Sequence, residues 1–220
     1  PEAVVVTYVN TYADAKAESD YCCTSGNADK VLDKLIALGH KRILFLPDRF
    51  LAANTAAKMG IPFLPSDADT DAFQAVSPDQ PLVIGWHAQC EVHELFTPEQ
   101  VEEIRDKHPE TVILAHPECP PEVMEKVDIA GSTKAMVDYI RDVDAPSYTL
   151  FTETAMSDNL AAEFPHRKIL RLTHERCKHM NYITLEDTLE GLQKLQFQVE
   201  LDADLIEKAR LPIQRMIEIK

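Results

Sequence analysis

The 220-residue sequence predicts an α/β protein with short parallel sheets. Two observations carry the prediction. Apolar, β-branched runs bounded by turn residues recur at residues 4–9, 42–46, 82–85, 111–115, 129–130, 148–151 and 168–172. Amphipathic or Ala-rich stretches of helical length lie between most of them, and alternating strands and helices build βαβ units, which make neighbouring strands parallel.

Taken in order, Val4-Val5-Val6 opens a buried strand that delivers Tyr8 and Asn10 at its carboxyl end, where parallel sheets receive ligands. Thr24-Ser25-Gly26-Asn27 then gathers hydroxyls and free backbone N–H groups at the start of a helix over residues 27–38. That grouping suits an anion site, and it equally suits a plain N-cap. Val31, Leu32, Leu35 and Ile36 share one face of this helix, and Gly39 ends it. An Ala-rich helix over residues 50–59 stops at Gly60. Residues 60–81 contain Pro62, Pro65, Pro78 and Pro81 and read as an irregular insertion or linker. Thr97-Pro98-Glu99-Gln100 is a capping box with proline at the first helical position, opening a helix to about His108. Residues 202–219 form a terminal helix with a kink or break expected at Pro212.

The chain also resembles itself. Tyr8-Val9-Asn10 ends one strand and His116-Pro117-Glu118 ends another; Ser25 lies as far beyond Tyr8 as Thr133 lies beyond His116. Each hydroxyl opens a helix that feeds a further strand, an Ala-rich helix follows, and each unit closes on a cysteine, Cys90 or Cys177. The first unit is the longer, and the surplus falls near residues 60–81. Two similar α/β lobes are the reading of that pattern.

Composition narrows the function. A formal net charge of −15 disfavours nucleic acid and anionic membranes as partners, because phosphate is repelled. No apolar run approaches the roughly 20 residues needed to span a bilayer, and no leader pattern opens the chain. Five cysteines, an odd number, argue against a disulfide framework and for reduced thiols in a cytoplasmic setting.

Cys90 and Cys177 each follow a strand, and neither belongs to a C-x-x-C pair. Thiolates from separate lobes suit an iron–sulfur cluster. Cys90 with His93, joined by Cys177 with His174 or His179, suits tetrahedral zinc instead. Cys22, Cys23 and Cys119 read as structural. His116 and Glu118 form the sharpest acid–base candidate, a carboxylate with an imidazole beside it at a strand end. Glu153 reads as ordering a loop, and His40, His87, His108 and His166 show no usable pattern. A small-molecule phosphate binder is a further reading, resting on Ser25 and Thr133 alone.

These residues resemble the quinolinate synthase family. The resemblance runs through Tyr8-Val9-Asn10, Lys16-Ala17-Glu18-Ser19-Asp20, Cys23-Thr24-Ser25-x-Asn27-Ala28 and Leu46-Pro47-Asp48. It continues through Cys90-x-Val92-His93-Glu94-x-Phe96, His116-Pro117-Glu118-Cys119, Gly131-Ser132-Thr133, Cys177-x-x-Met180 and Thr184-Leu185. It implies repeated three-layer α/β/α lobes around a pseudo-threefold axis, of which about two are present. Residues 1–89 would be the second lobe, 90–175 the third, and 176–220 a segment that completes an absent first lobe. The implied activity is a transferase reaction of NAD biosynthesis, the condensation of iminoaspartate with dihydroxyacetone phosphate to quinolinate, with L-aspartate oxidase as a functional partner. The implied cofactor is a 4Fe–4S cluster held in part by Cys90 and Cys177, with one non-cysteine iron open to substrate. By the same resemblance, Tyr8, His116 and Glu118 are catalytic, and Tyr8, Asn10, Ser25, His116, Glu118 and Thr133 bind substrate. An incomplete, inactive fragment or a zinc-binding module of the family is the alternative.

Overall fold

The computed structural model of the protein describes residues 3–219. Its centre is two parallel sheets flanked by helices, the α/β architecture the alternation predicts. The first sheet holds β1 (Val4–Tyr8), β2 (Tyr21–Cys23), β3 (Arg42–Leu46), β4 (Phe63–Pro65) and β5 (Leu82–Gly85) in the order β2-β1-β3-β5-β4. The second holds β6 (Thr111–Ala115), β7 (Ile129–Ala130) and β8 (Ser147–Phe151) in the order β7-β6-β8. Every pairing is parallel. All carboxyl ends of a sheet therefore lie at one edge, where the loops that carry polar residues collect.

The helices are α1 (Ala13–Ala17), α2 (Ala28–Ala37), α3 (Arg49–Met59), α4 (Thr70–Ala75), α5 (Pro98–Lys107), α6 (Pro121–Met124), α7 (Thr133–Asp142), α8 (Thr154–Glu163), α9 (Leu185–Lys194) and α10 (Ala203–Ile217). In α2, Ala28, Val31, Leu32 and Leu35 are buried against Val6, Ile43 and Phe45 of the first sheet. Each fully buried Leu, Ile or Phe contributes roughly 1.5–3 kcal/mol. The Asp48 carboxylate caps α3 by accepting the Leu51 N–H at 2.6 Å, and Gly60 closes that helix at φ 66°, a conformation that suits glycine. The capping box at Thr97 and Gln100 is formed as the sequence predicts. The N-cap of α8 is Glu153, whose carboxylate accepts the Ala155 N–H at 2.7 Å.

Three expectations change. Residues 60–81 are not a structureless linker: β4 pairs with β5 at the sheet edge, and α4 follows it. Pro65 is tolerated in β4 because an edge strand need not donate on its outer side, and Pro62, Pro78 and Pro81 lie outside the strands. Residues 168–172 do not form a strand, only a bridge from Ile169 to Tyr148. The pairing passes to side chains there, with Thr149 Oγ1 donating to the Leu170 carbonyl and Thr173 Oγ1 to the Leu150 carbonyl. At the C-terminus α10 runs unbroken through the buried Pro212. It packs on α1 and β2, where Arg215 Nη1 donates to the Asp20 carbonyl at 2.8 Å and the guanidinium lies 5.6 Å from the centre of the Tyr21 ring.

Gly85 ends β5 directly beneath the edge strand. A Cβ at this position would stand 2.5 Å from Cε2 and 2.8 Å from Cζ of Phe63. Gly85→Ala is expected to push the Phe63 ring off the sheet and lower stability by about 1–3 kcal/mol in urea unfolding. An unchanged midpoint would show that β4 yields freely.

Candidate active site

The turns after β1, β6 and β8 converge. β6 delivers His116, whose backbone N–H donates to the Phe151 carbonyl at 3.1 Å and so ties the turn to the end of β8. The turn closes through the Cys119 N–H, which donates to the His116 carbonyl at 2.9 Å. Glu118 is thereby folded back beneath His116, with its carboxylate in a largely buried position.

Two imidazoles bracket that carboxylate. His93 Nδ1 lies 2.9 Å from Glu118 Oε2, and its Nε2 lies 3.0 Å from Thr152 Oγ1, immediately after β8. His116 stacks on His93 with ring centroids 4.5 Å apart and planes 16° from parallel. His116 Nε2 is 3.1 Å from Ser25 Oγ, and its Nδ1 accepts the Glu118 N–H at 3.4 Å. With Nδ1 accepting, the ring proton of His116 sits on Nε2 and is directed at Ser25.

The electrostatics follow from this arrangement. Burial works against a charge on His93, yet the nearby Cys90 sulfur and the hydrogen bond to Glu118 outweigh that cost and push its pKa up to about 9. For His116 burial wins: with the His93 charge alongside opposing a second cation, its pKa falls to about 4 despite Glu118. Burial alone would raise Glu118, but His93 and His116 hold it below the usual carboxylate range. The site at neutral pH is a buried ion pair, Glu118 with His93, beside a neutral imidazole. Burial raises the Tyr8 phenol, Ser25 offsets part of the rise and the Glu118 charge adds to it, so the phenol keeps its proton.

Cys90 Sγ, a His93 ring nitrogen and a Glu118 oxygen lie within 4.8 Å of one another. A second set, Glu91, Cys177 and His179, has ligand atoms within the same limit. Cys90 and Cys177 are both half-buried and pack against one core that includes Val92, Phe96, Ile113 and Phe151. A thiol, an imidazole and a carboxylate suit a transition metal or a metal cluster. The Cys90 loop is held by Asp48, whose Oδ2 accepts the Cys90 N–H at 2.7 Å. Cys22, Cys23 and Cys119 are fully buried, and burial raises all three thiols, so they pack as small apolar side chains.

The starts of α2 and α7 face each other. A Cβ on Gly26 would lie 3.3 Å from Ser132 Oγ, and a cleft of about 400 Å³ beside them is lined by Ser25, Gly26, Asn54, Pro117, Gly131 and Ser132. Thr133, the hydroxyl the spacing singled out, is the first residue of α7 and is exposed; the N-cap is Ser132, whose Oγ accepts the Ala135 N–H at 3.3 Å. Asn10 lies exposed in the turn after β1. The structure thus brings Tyr8, Ser25, His116, Glu118 and Cys90 together. It adds His93, Thr152 and Asp48, which sequence reasoning did not place among the acid–base residues. His93 is signalled by the Cys90-x-x-His93 spacing, a zinc pattern, and His93 and Asp48 both stand in motifs that carry the family resemblance.

Thiol, imidazole and carboxylate groups gathered at the carboxyl ends of parallel strands stand where α/β folds place their ligand sites. The family model described as quinolinate synthetase A protein matches residues 1–218, and the chain belongs to that family. It is 39% identical over 219 residues to quinolinate synthase 2 of Mesorhizobium japonicum, covering 100% of this chain and 60% of that protein. Quinolinate synthase 1 of the same organism is 42% identical over 217 residues, covering 99% and 60%. Quinolinate synthase of Xylella fastidiosa is 39% identical over 219 residues, covering 100% and 58%. The chain therefore spans less than two thirds of the length of these relatives.

The charge of His93 has a consequence for stability. Its folded pKa is raised from 6.5 to about 9, so the stabilisation is fully present below pH 6.5 and is lost as pH rises toward 9. His93→Gln should lower stability by roughly 3 kcal/mol at pH 6 and flatten the decline between pH 6.5 and 9, read from urea midpoints across that range. A decline of the same slope in the variant would assign it to another group.

Proposed function

We propose that this chain is the larger part of a quinolinate synthase, which condenses iminoaspartate with dihydroxyacetone phosphate, releasing water and phosphate, in NAD biosynthesis. Family membership supports the class of enzyme. The single observation that carries the site is the convergence of Cys90, His93 and Glu118 within 4.8 Å beside His116, with Cys177 bordering the same core. Cys90 and Cys177 would be thiolate ligands of a 4Fe–4S cluster, which supplies Lewis-acid chemistry toward substrate oxygen or nitrogen when bound. In that reading the enzyme works in the cytoplasm, and L-aspartate oxidase is a functional partner.

The chain's own residues then divide the work. Glu118, kept ionised by His93, accepts a proton from the carbon or nitrogen of the condensing intermediate and returns it during dehydration. His116, neutral and with its Nε2 proton directed outward at Ser25, donates a hydrogen bond to a substrate carboxylate or carbonyl. Tyr8 retains its phenolic proton and can supply it to a leaving oxygen. Asn10 orients the intermediate. Ser25 and Thr133, with the N–H groups at the starts of α2 and α7, hold phosphate or carboxylate oxygens. Exposed apolar groups on residues 176–220, among them Met180, Tyr182, Ile183, Leu185, Leu189 and Phe197, support the reading that this segment completes a further lobe.

A second reading has its own support. Each of Cys90 and Cys177 has an imidazole and a carboxylate within 4.8 Å, a donor mixture that also suits zinc. Anaerobic reconstitution with iron and sulfide, read by absorbance and metal analysis, separates the two. About four irons with acid-labile sulfide per chain support the synthase, and zinc without sulfide supports the alternative. In the full-length protein Glu118→Gln should lower turnover by at least about 100-fold while leaving the cluster absorbance intact. Unchanged turnover would remove Glu118 from the mechanism.

A further inference from the structure

The turn that carries Glu118 is short of its own hydrogen bonds. Pro117 and Pro120 have no N–H to give, and the Glu118 N–H makes only the long contact to His116 Nδ1. The carbonyls on either side of Glu118, those of Pro117 and Cys119, accept from no backbone or side-chain donor among the described residues except one. That donor is Asn54. Its Nδ2 lies 2.8 Å from the Pro117 carbonyl and 2.8 Å from the Cys119 carbonyl, so both amide hydrogens are spent on the two peptide groups that bracket the carboxylate residue.

Asn54 does not belong to that turn or to its sheet. It sits in the middle of α3, a helix anchored on the first sheet through the buried Leu51, Ala52, Thr55 and Ala56. The cap of the same helix, Asp48, holds the Cys90 N–H. One rigid helix therefore grips the thiol loop at its first turn and the carboxylate turn about 9 Å further along its axis.

We propose that Asn54 is a positioning residue, clamping the Pro117 and Cys119 carbonyls so that the Glu118 carboxylate is set against His93 and Cys90 from the neighbouring sheet. The catalytic half of this rests on the reading of Glu118 as the proton-transfer group; the clamp itself does not. A carboxylate at position 54 has no donor and would repel both carbonyls, whereas alanine only removes the bonds and leaves room for water. An asparagine that merely fills space would give the opposite order, since aspartate keeps its volume.

The test uses Asn54→Ala and Asn54→Asp in the full-length protein, with two readouts. Amide hydrogen exchange of the peptide spanning residues 116–124 should quicken in both variants, more in Asn54→Asp, by roughly 10-fold or more. In the cluster-loaded enzyme kcat should fall roughly 10- to 100-fold in the order wild type, alanine, aspartate, with KM for both substrates and the cluster absorbance little changed. Unchanged exchange in both variants overturns the clamp. Faster exchange with unchanged kcat overturns its role in setting Glu118, and an alanine variant worse than aspartate marks a packing role instead. A wild-type enzyme without quinolinate synthase turnover would defeat the functional reading alone, because exchange still decides the clamp.

Discussion

A carboxylate taken largely out of water must find compensating charge or donors, and Glu118 imposes that need on the groups around it. Its partner at 2.9 Å is His93, whose charged form Cys90 and this carboxylate both favour and whose other nitrogen lies 3.0 Å from Thr152 Oγ1. Burial first, and then the charge on His93 stacked 4.5 Å away, oppose a charge on His116. His116 is thus kept neutral, with its one ring proton turned toward Ser25 and Tyr8 beyond it. The ion pair and the burial around it set a base, a neutral hydrogen-bond donor and a protonated phenol around one space.

The fold makes this possible by parallel pairing. Parallel strands bring their turns to one edge, so β1 contributes Tyr8, β6 contributes His116 and Glu118, and β8 contributes Thr152. The two sheets do not merely lie near each other at that edge. Asn54 of α3 hydrogen-bonds the turn after β6, Ser25 at the start of α2 meets His116, and Gly26 leaves room for Ser132 at the start of α7. The starts of α2 and α7 are the two positions that the internal similarity of the sequence relates, and the structure sets them face to face.

Where sequence reading succeeded, local chemistry decided the outcome. Val4-Val5-Val6 could only be a strand, Gly39 and Gly60 end helices by adopting positive φ, and Thr97 with Gln100 forms its capping box regardless of what packs nearby. Where it failed, a remote partner decided. Phe63-Leu64-Pro65 becomes a strand because β5 offers an edge, and residues 168–172 keep only the bridge to Tyr148, with threonine hydroxyls donating to the carbonyls of Leu170 and Leu150 beyond it. Thr133 does open α7, as its spacing suggests, while the capping hydroxyl is that of Ser132 one residue earlier.

The sequence by itself determined the α/β class, the parallel pairing, the cysteines that stand outside any local pair, and the candidacy of His116 and Glu118, because strand propensity, helix caps and side-chain chemistry are properties of short stretches. The family resemblance was legible for the same reason, being carried by short ordered motifs. Only the tertiary structure decided which imidazole carries the charge, since His93 and His116 are the same residue type and differ solely in what burial and Glu118 present to each. It alone showed that Asp48 and Asn54, two polar residues on one helix, reach the thiol loop and the carboxylate turn, because those contacts join positions 42 and 63 to 65 residues apart in the chain.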